Sequence, residues 1–231
     1  THLRRAVEMM EPDDARRPVV MRSLGHALSA SSDYPEAVAA FESAAAMLRA
    51  RGDAVAAAEL GAPLAVALGS EGDFQRGVAV LMESRAVLER HPGPGLAAIL
   101  AEQAALRSFG EHADAPDLAA KAIELAPSFG LPPPYRALMV RGITGLPLGH
   151  AGAEADLRGA IDGAVAAGDL RAASITFYNL ATISGDIAGP AAGIRLFDEA
   201  IAFCGAHGVP TELARSGRVE HLWNAGAWDE L

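Results

Sequence analysis

The sequence predicts an all-α fold built as a solenoid of helix-turn-helix repeats, and three observations lead to this prediction. Apolar residues make up 51% of the chain but aromatic residues only 5%, so much of the apolar content is alanine, the residue with the highest helix propensity. Valine, isoleucine and threonine never form an alternating run longer than a few positions, so no β-strand is predicted. Finally, one short pattern recurs at intervals of 38 to 40 residues, which is typical of repeat proteins.

The recurring pattern is one face of a helix. A small residue is followed four positions later by a mostly larger one, and three positions after that by another small one, a spacing that places all three on the same side of a helix. Small residues allow a neighbouring helix to approach closely, while the larger residue fills the space between them. The first small positions are Ala37, Gly77, Ala115, Ala153 and Gly193. The larger and second small positions are Phe41, Leu81, Ala119, Leu157 and Phe197, then Ala44, Ser84, Ala122, Ala160 and Ala200.

A second anchor lies on the preceding helix of each repeat. In three repeats an apolar pair ends twelve residues before the small position, at Leu24-Gly25, Leu64-Ala65 and Leu180-Ala181. The third repeat has Glu102-Gln103 there instead, which leaves a register shift of one residue open. The fixed distance indicates that the two helices of a pair pack in the same way each time.

Turns rich in Gly and Asp separate the two helices of each pair, because Gly ends helices and Asp caps them. The predicted helix pairs cover residues 15–50, 53–90, 95–128, 133–167 and 169–207, between a helix ending near Met10 and a last helix at 210–225. The predicted turns within pairs are Ser32-Asp33-Tyr34, Gly72-Asp73-Phe74, Gly110-Glu111, Leu148-Gly149-His150 and Gly226-Ala227-Trp228.

We expect one repeat domain over residues 1–231, with about five helix pairs and a partial repeat at each end. Leu3 and Ala6 match the end of a preceding unit, and residues 228–231 match the start of a second helix. The chain is therefore expected to be a fragment of a larger protein. Incomplete end repeats expose apolar faces, so self-association through them is also expected.

The first repeat resembles the tetratricopeptide repeat, whose pattern is matched by Leu24-Gly25, Tyr34, Ala37, Phe41 and Ala44. The period of 38 to 40 exceeds the usual 34 of that family, so longer helices are expected, as in the helical superhelix of large bacterial signalling ATPases. The resemblance implies a right-handed superhelix in which the first helix of every pair lines a concave surface used by partners.

The last third of the chain, residues 178–209 and the terminal GAWDEL, resembles the carboxy-terminal repeat regions of actinobacterial multidomain regulators. In those proteins a cyclase or LuxR-type DNA-binding domain is joined to an ATPase module and then to repeats. The resemblance implies an interaction or effector-sensing scaffold in a signalling or transcription regulator, with catalysis or DNA binding left to other domains.

Charge and composition exclude several classes of function. The formal net charge of −10 opposes binding to a phosphate backbone, so no direct nucleic-acid contact is expected. The single cysteine, Cys204, cannot form an internal disulfide, and no stretch approaches about 18 uninterrupted apolar residues, the length of a membrane span. We therefore expect a cytoplasmic segment without membrane contact.

No catalytic constellation is predicted, so we expect neither an enzyme nor a cofactor or metal in this segment. An all-helical enzyme is the weakest of three functional alternatives, after an interaction scaffold and an effector sensor. Five motifs could in principle carry chemistry, but we predict a structural role for each. The proline-flanked glycines of residues 93–95 form a turn, and the acidic residues of 11–14 start a helix. His112 lies in a solvated turn, His207 caps a helix, and Cys204 packs in a core.

The candidate site is the surface formed by the first helices, for which we predict contact with a protein or peptide partner or with other domains of the same chain. Tyr and Trp supply rigid contact area and Arg binds carboxylates in a fork, which suits a peptide or helix. The alternatives are a sensor that closes around a small molecule or signal peptide to control an attached ATPase module, and ordinary packing or solvation of these residues. The candidate residues are Arg22, His26, Arg107, Tyr135, Tyr178, Asn179, Thr182, Glu220 and Trp223.

Overall fold

A computed structural model describes residues 2–109 and 112–230. In these residues the chain forms α-helices, two short 3-10 helices and turns, without a β-strand, which confirms the all-α class. The contacts between Cα atoms divide the chain into two compact units, Thr1–Pro132 and Pro133–Leu231. Gly110-Glu111, the predicted turn of the third pair, and Leu231 lie outside the described residues.

Unit 1 contains three helix pairs preceded by a short helix, at the intervals that the sequence predicts. A break at Leu60 divides the helix predicted from residue 53 into two, and the acidic residues of 11–14, which were expected to start a helix, lie in a turn before α2. The second piece starts at Gly61, where a Cβ atom would lie 2.1 Å from Oγ of Ser84, so only glycine permits this approach. The helices are α1 (His2–Met9), α2 (Arg17–Ala30), α3 (Tyr34–Ala50), α4 (Ala54–Glu59), α5 (Gly61–Glu71), α6 (Phe74–Leu88), α7 (Pro94–Phe109) and α8 (Ala115–Leu125), followed by a 3-10 turn at Ala126–Phe129.

The core of unit 1 forms between successive helices. Helix α2 packs on α3, α5 on α6, and α7 on α8, while α3 contacts both α4 and α5, and α4 and α5 contact α7. Phe41 is fully buried at the centre of the first pair, against Leu24 and Leu28 of the preceding helix. Each pair therefore buries an apolar face that it could not cover alone.

Side chains from the chain's own turns hold the ends of these helices. Asp53 and Asp73 accept hydrogen bonds from the backbone N–H groups of Ala56 and Arg76, at 2.9 and 3.2 Å, as the capping pattern predicts. Asp33 does not cap its helix, because its carboxylate accepts a hydrogen bond from Arg4 at 3.2 Å instead. The predicted capping role is wrong for this residue.

One stretch of unit 1, Ala54–Glu71, is long and apolar enough to cross a membrane by length and composition, with a mean hydropathy of 1.2. It includes Glu59, is interrupted by the break at Leu60, and is half buried inside the unit. These properties are those of a core helix and are compatible with a soluble protein.

Unit 2 contains two helix pairs and a further helix. Each helix packs on the next, and the first helices also contact one another in series, α9 with α11 and α11 with α13. Residues 228–230 form a 3-10 turn and not the start of an α-helix as expected. The helices are α9 (Tyr135–Gly145), α10 (Ala153–Ala166), α11 (Leu170–Ala188), α12 (Pro190–His207) and α13 (Glu212–Ala225), followed by the 3-10 helix Trp228–Glu230.

In both units the predicted anchor positions are buried. Every small, large and second small residue of the five second helices is buried, and apart from the glycines the most accessible of them is Ser84 at 7%. In the third pair Gln103 occupies the anchor of the first helix, where it is buried and accepts a hydrogen bond from Arg85 at 3.3 Å. In the fourth pair Gly142 faces Leu157. Gly142 lies eleven residues before the small position Ala153, whereas the corresponding distance in the other repeats is twelve.

The close approach at Gly25 predicts a stability effect. A Cβ atom there would lie 2.7 Å from the ring of Phe41, which is enclosed and cannot move aside, so we expect Gly25→Ala to destabilise unit 1 by about 1–3 kcal/mol. Urea unfolding followed by far-ultraviolet circular dichroism measures this effect. The matched control is Gly69→Ala in α5, where the nearest atom would be 3.6 Å away and a stabilisation of up to ~1 kcal/mol is expected. Equal effects of the two substitutions would contradict the packing argument.

Candidate functional site

The structure places seven of the nine candidate residues on the first helices of pairs, and the other two, Glu220 and Trp223, on the unpaired helix α13. Arg22 and His26 lie on α2 and Arg107 on α7, all in unit 1. The six residues of unit 2 are Tyr135 on α9, Tyr178, Asn179 and Thr182 on α11, and Glu220 and Trp223 on α13. Each unit therefore carries its own part of the candidate surface.

In unit 1, Arg22 and His26 form an exposed, electrostatically coupled pair one helical turn apart. One edge of the His26 ring points at Phe41, with the ring centroids 5.1 Å apart and the planes at 78°. Desolvation by this packing, and to a lesser degree the charge of Arg22, lowers the pKa of His26 below the 6.5 of a free imidazole. The side chain thus presents a neutral imidazole beside a guanidinium near neutral pH.

This environment predicts a measurable titration. We expect the His26 resonance to titrate below pH 6.5, and Arg22→Ala to remove only the smaller part of the shift, since desolvation is its larger cause. Just below pH 6.5 the folded state then binds fewer protons at His26 than the unfolded state does. The free energy of unfolding therefore loses nothing to His26 above that pH and decreases as the pH falls below it. An NMR titration of the imidazole protons tests the prediction, with exposed His91 as an internal comparison. A pKa of His26 at or above 6.5 would disprove it.

Two candidates are already engaged by groups of the chain itself. Arg107 donates a hydrogen bond to Asp114 at 2.7 Å, and this interaction lowers the pKa of that carboxyl group. The hydroxyl of Tyr135 donates to Asp169 at 2.8 Å, and the same carboxylate accepts from Arg136 and caps α11 through the backbone N–H of Ala172. These contacts fix helix ends, so the ordinary packing interpretation applies best to Arg107 and Tyr135.

The three candidates on α11 are half-buried. The ring of Tyr178 lies edge-on to Phe197 with centroids 5.6 Å apart. A Cβ atom added to Gly217 of α13 would lie 3.0 Å from the Tyr178 ring. Tyr178 therefore lies at the contact between α11 and α13. Oγ1 of Thr182 is buried and has no hydrogen-bond partner among the described residues.

Both candidates on α13 are accessible. Glu220 is exposed, and Trp223 is 59% exposed even though its ring contacts that of Trp228, with centroids 4.2 Å apart. An indole of this exposure is costly for an isolated domain and typical of contact surfaces. Sequence analysis placed Trp228 in a helix start and missed its contact with Trp223.

Sequence analysis also missed His221, which is buried with 4% exposure. Its ring lies in a slot between Gly185 of α11 and Gly193 of α12, where added Cβ atoms would come within 2.1 and 2.2 Å of it. Nδ1 lies 3.0 Å from the carbonyl oxygen of Gly217, and the ring meets Phe197 edge-on at 5.2 Å. The signal in the sequence was glycine in place of alanine at position 193, but it did not indicate which side chain fills the space.

The slot around His221 predicts a coupled pair of substitutions. We expect Gly193→Ala to destabilise unit 2 by about 1–3 kcal/mol, because the new methyl group overlaps Cδ2 of His221. Urea unfolding followed by tryptophan fluorescence reports on unit 2, which contains both tryptophans of the chain. In a His221→Ala background the obstruction is gone, so the same substitution should cost much less. Gly205→Ala, also on α12 but with nothing within 4 Å, is the control and should be neutral or stabilising. Additive effects of the two substitutions would contradict the slot.

Three of the other residues considered for chemistry, Asp14, Cys204 and His207, have neighbours that account for them structurally. Asp14 accepts hydrogen bonds from the backbone and side chain of Arg16, which hold its pKa at about 2 just before α2 begins. Cys204 is fully buried with its Sγ 3.3 Å from Oγ of Ser174. Nδ1 of His207 lies 2.9 Å from the carbonyl oxygen of Phe203 in the last turn of α12. No group of three His, Cys, Asp or Glu side chains in residues 2–109 and 112–230 is placed to hold a metal ion.

A shallow depression lies in unit 2 where the turn after α9 meets the start of α10. The guanidinium and the carboxylate that line it are paired with each other, because Arg141 donates to both carboxylate oxygens of Asp156, at 2.7 and 2.6 Å. The depression is lined by Arg141, His150, Ala151, Gly152, Ala153 and Asp156.

The sequence matches no protein-family model, and no curated protein matches it either.

Proposed function

We propose that this chain is a tetratricopeptide-like helical repeat scaffold that binds a protein or peptide partner along the surface of its first helices. The observation that carries the proposal is the arrangement of contacts within each unit. In unit 2 the first helices α9, α11 and α13 contact one another in series, and in unit 1 α5 contacts α7. Serial contact of equivalent helices is what a superhelix of stacked repeats produces.

Two unpaired charges support the first helices as the binding side. Several charged groups of the second helices are paired between neighbouring repeats, as in Arg76 of α6 with Glu42 of α3, and Arg158 of α10 with Glu199 of α12. On the first helices, Arg22 and Glu220 form no ion pair with a described residue. Unpaired charges and an exposed indole remain available to a partner there.

The wider role follows from the resemblance to bacterial multidomain regulators. In this proposal the chain is a cytoplasmic regulatory segment of a larger signalling or transcription regulator, and its partner is another protein or another domain of that regulator. Direct nucleic-acid binding has no place in it, because the segment is strongly acidic. Catalysis and cofactor binding are assigned to other domains.

Effector sensing is the second candidate function, and a convergent pocket of Tyr, Arg and His would favour it. The depression near α10 contains Arg141 and His150, but the guanidinium is paired with Asp156 and no tyrosine lines the space. The interaction scaffold is therefore the better supported function.

A comparison of two double variants tests the proposal. Arg22→Ala with Trp223→Ala removes one exposed group from the first helices of each unit, whereas Arg49→Ala with Met82→Ala removes a similar exposed pair from the second helices α3 and α6. All four side chains are accessible, so both proteins should fold like the wild type. We expect the first variant to lower the affinity for a captured partner by tenfold or more, about 1.4 kcal/mol, and the second to leave it unchanged.

The measurement is isothermal titration calorimetry with the purified partner, after its capture from a lysate on the wild-type chain. A second-helix variant that weakens binding as strongly as the first-helix variant would contradict the assignment of the binding side. Failure of the wild type to retain any partner would contradict the scaffold itself.

A further inference from the structure

The end of unit 2 presents an aromatic corner made by Trp223 of α13 and Trp228 of the following 3-10 turn. The two rings are 4.2 Å apart and inclined at 74°, and both remain more than half exposed, at 59% and 55%. These are the two tryptophans of the whole sequence. The contact holds the rings in a fixed mutual orientation, so their accessible π surface is pre-formed.

Two acidic residues lie close to this corner in the chain. Glu220 lies three residues before Trp223 on the same side of α13, and Asp229 directly follows Trp228. Both side chains are exposed, and neither forms an ion pair within the part of the chain that the structure describes. Residues 133–231 carry 7 arginines against 11 acidic residues, so the field of the unit favours a cation.

A cation is the ligand that fits both features. The face of an indole attracts a guanidinium or ammonium group more strongly than any other aromatic side chain does, and nearby carboxylates add to this attraction. No cation of the chain already occupies the position, since the cation–π contact found among the described residues is that of Arg136 over Tyr135. A second copy of the chain is the competing occupant, because exposed indoles also pair with each other.

We propose that the Trp223–Trp228 corner, with Glu220 and Asp229, binds an arginine or lysine side chain of a partner peptide. The inference rests on the proposed function, which it deepens by assigning a basic residue to the partner. It also gives the acidic balance of the unit a role in recognition, because a partner that presents a basic residue is attracted before contact.

The test uses the two indole N–H signals in a 1H–15N correlation spectrum of the full chain, which report on this corner alone. The probe is the blocked tripeptide Gly-Arg-Gly, and the control probe is Gly-citrulline-Gly, which has nearly the same shape but no charge. We expect a saturable shift of both indole signals with the arginine peptide, and at least tenfold weaker binding of the citrulline peptide.

Variants locate the charge contribution. We expect Glu220→Gln and Asp229→Asn each to weaken binding of the arginine peptide by about two- to fivefold, as for exposed ion pairs, and the effect to decrease with added salt. Asp162→Asn, which removes another exposed carboxylate of unit 2, on α10, is the matched control and should change nothing.

Three outcomes would overturn the inference: no indole shift with the arginine peptide, equal shifts with both peptides, or indole signals that move on dilution of the chain alone, which would show that a second copy occupies the corner. These failures are distinct from failure of the scaffold. If the first-helix variant loses the captured partner but the arginine peptide does not shift the indole signals, only this inference fails. If the arginine peptide shifts them but no partner is captured, only the scaffold proposal fails.

Discussion

The close approach of helices at small residues is the constraint on which the rest of this structure depends. Gly25 lies against Phe41, Gly142 against Leu157, and Gly217 against Phe197, and at each place a single methyl group would overlap the larger side chain. The distance between helices is therefore set by residues without side chains, and the larger residues fill the remaining space. Because the same arrangement recurs in both units, the chain obtains a core from alanine and glycine with few aromatic residues.

Such packing leaves polar groups to organise the helix ends and the outer surfaces. Asp169 shows how one carboxylate serves several elements, since it caps α11 and accepts hydrogen bonds from Tyr135 and Arg136 at the start of α9. Arg17 donates to the carbonyl oxygens of Val7 and Met10 and so ties the end of α1 to α2. Exposed ion pairs contribute little individually, but several of them join helices of neighbouring repeats, as between Arg76 of α6 and Glu42 of α3.

The candidate surface separates into residues that the fold uses and residues that it leaves accessible. Arg107 and Tyr135 belong to the first group, because their polar atoms are held by Asp114 and Asp169. Arg22 and His26 in unit 1, and the end of α13 in unit 2, belong to the second. In the proposed scaffold, specificity would come from these accessible aromatic and charged residues, since much of the chain's apolar content is alanine.

The sequence by itself determined the all-α class, the helix intervals and the buried anchors. The 38- to 40-residue period and the small, large, small spacing are visible in the sequence without knowing which helices pack together. It did not determine the break at Leu60, the shift of register to Gly142, or the burial of His221, since each depends on which side chain of another helix fills the space beside a glycine. The contact of Trp223 with Trp228 was likewise decided by tertiary structure, because a 3-10 turn and not a new helix follows α13. Periodicity identifies the face of a helix that is buried, whereas only packing decides what lies against it.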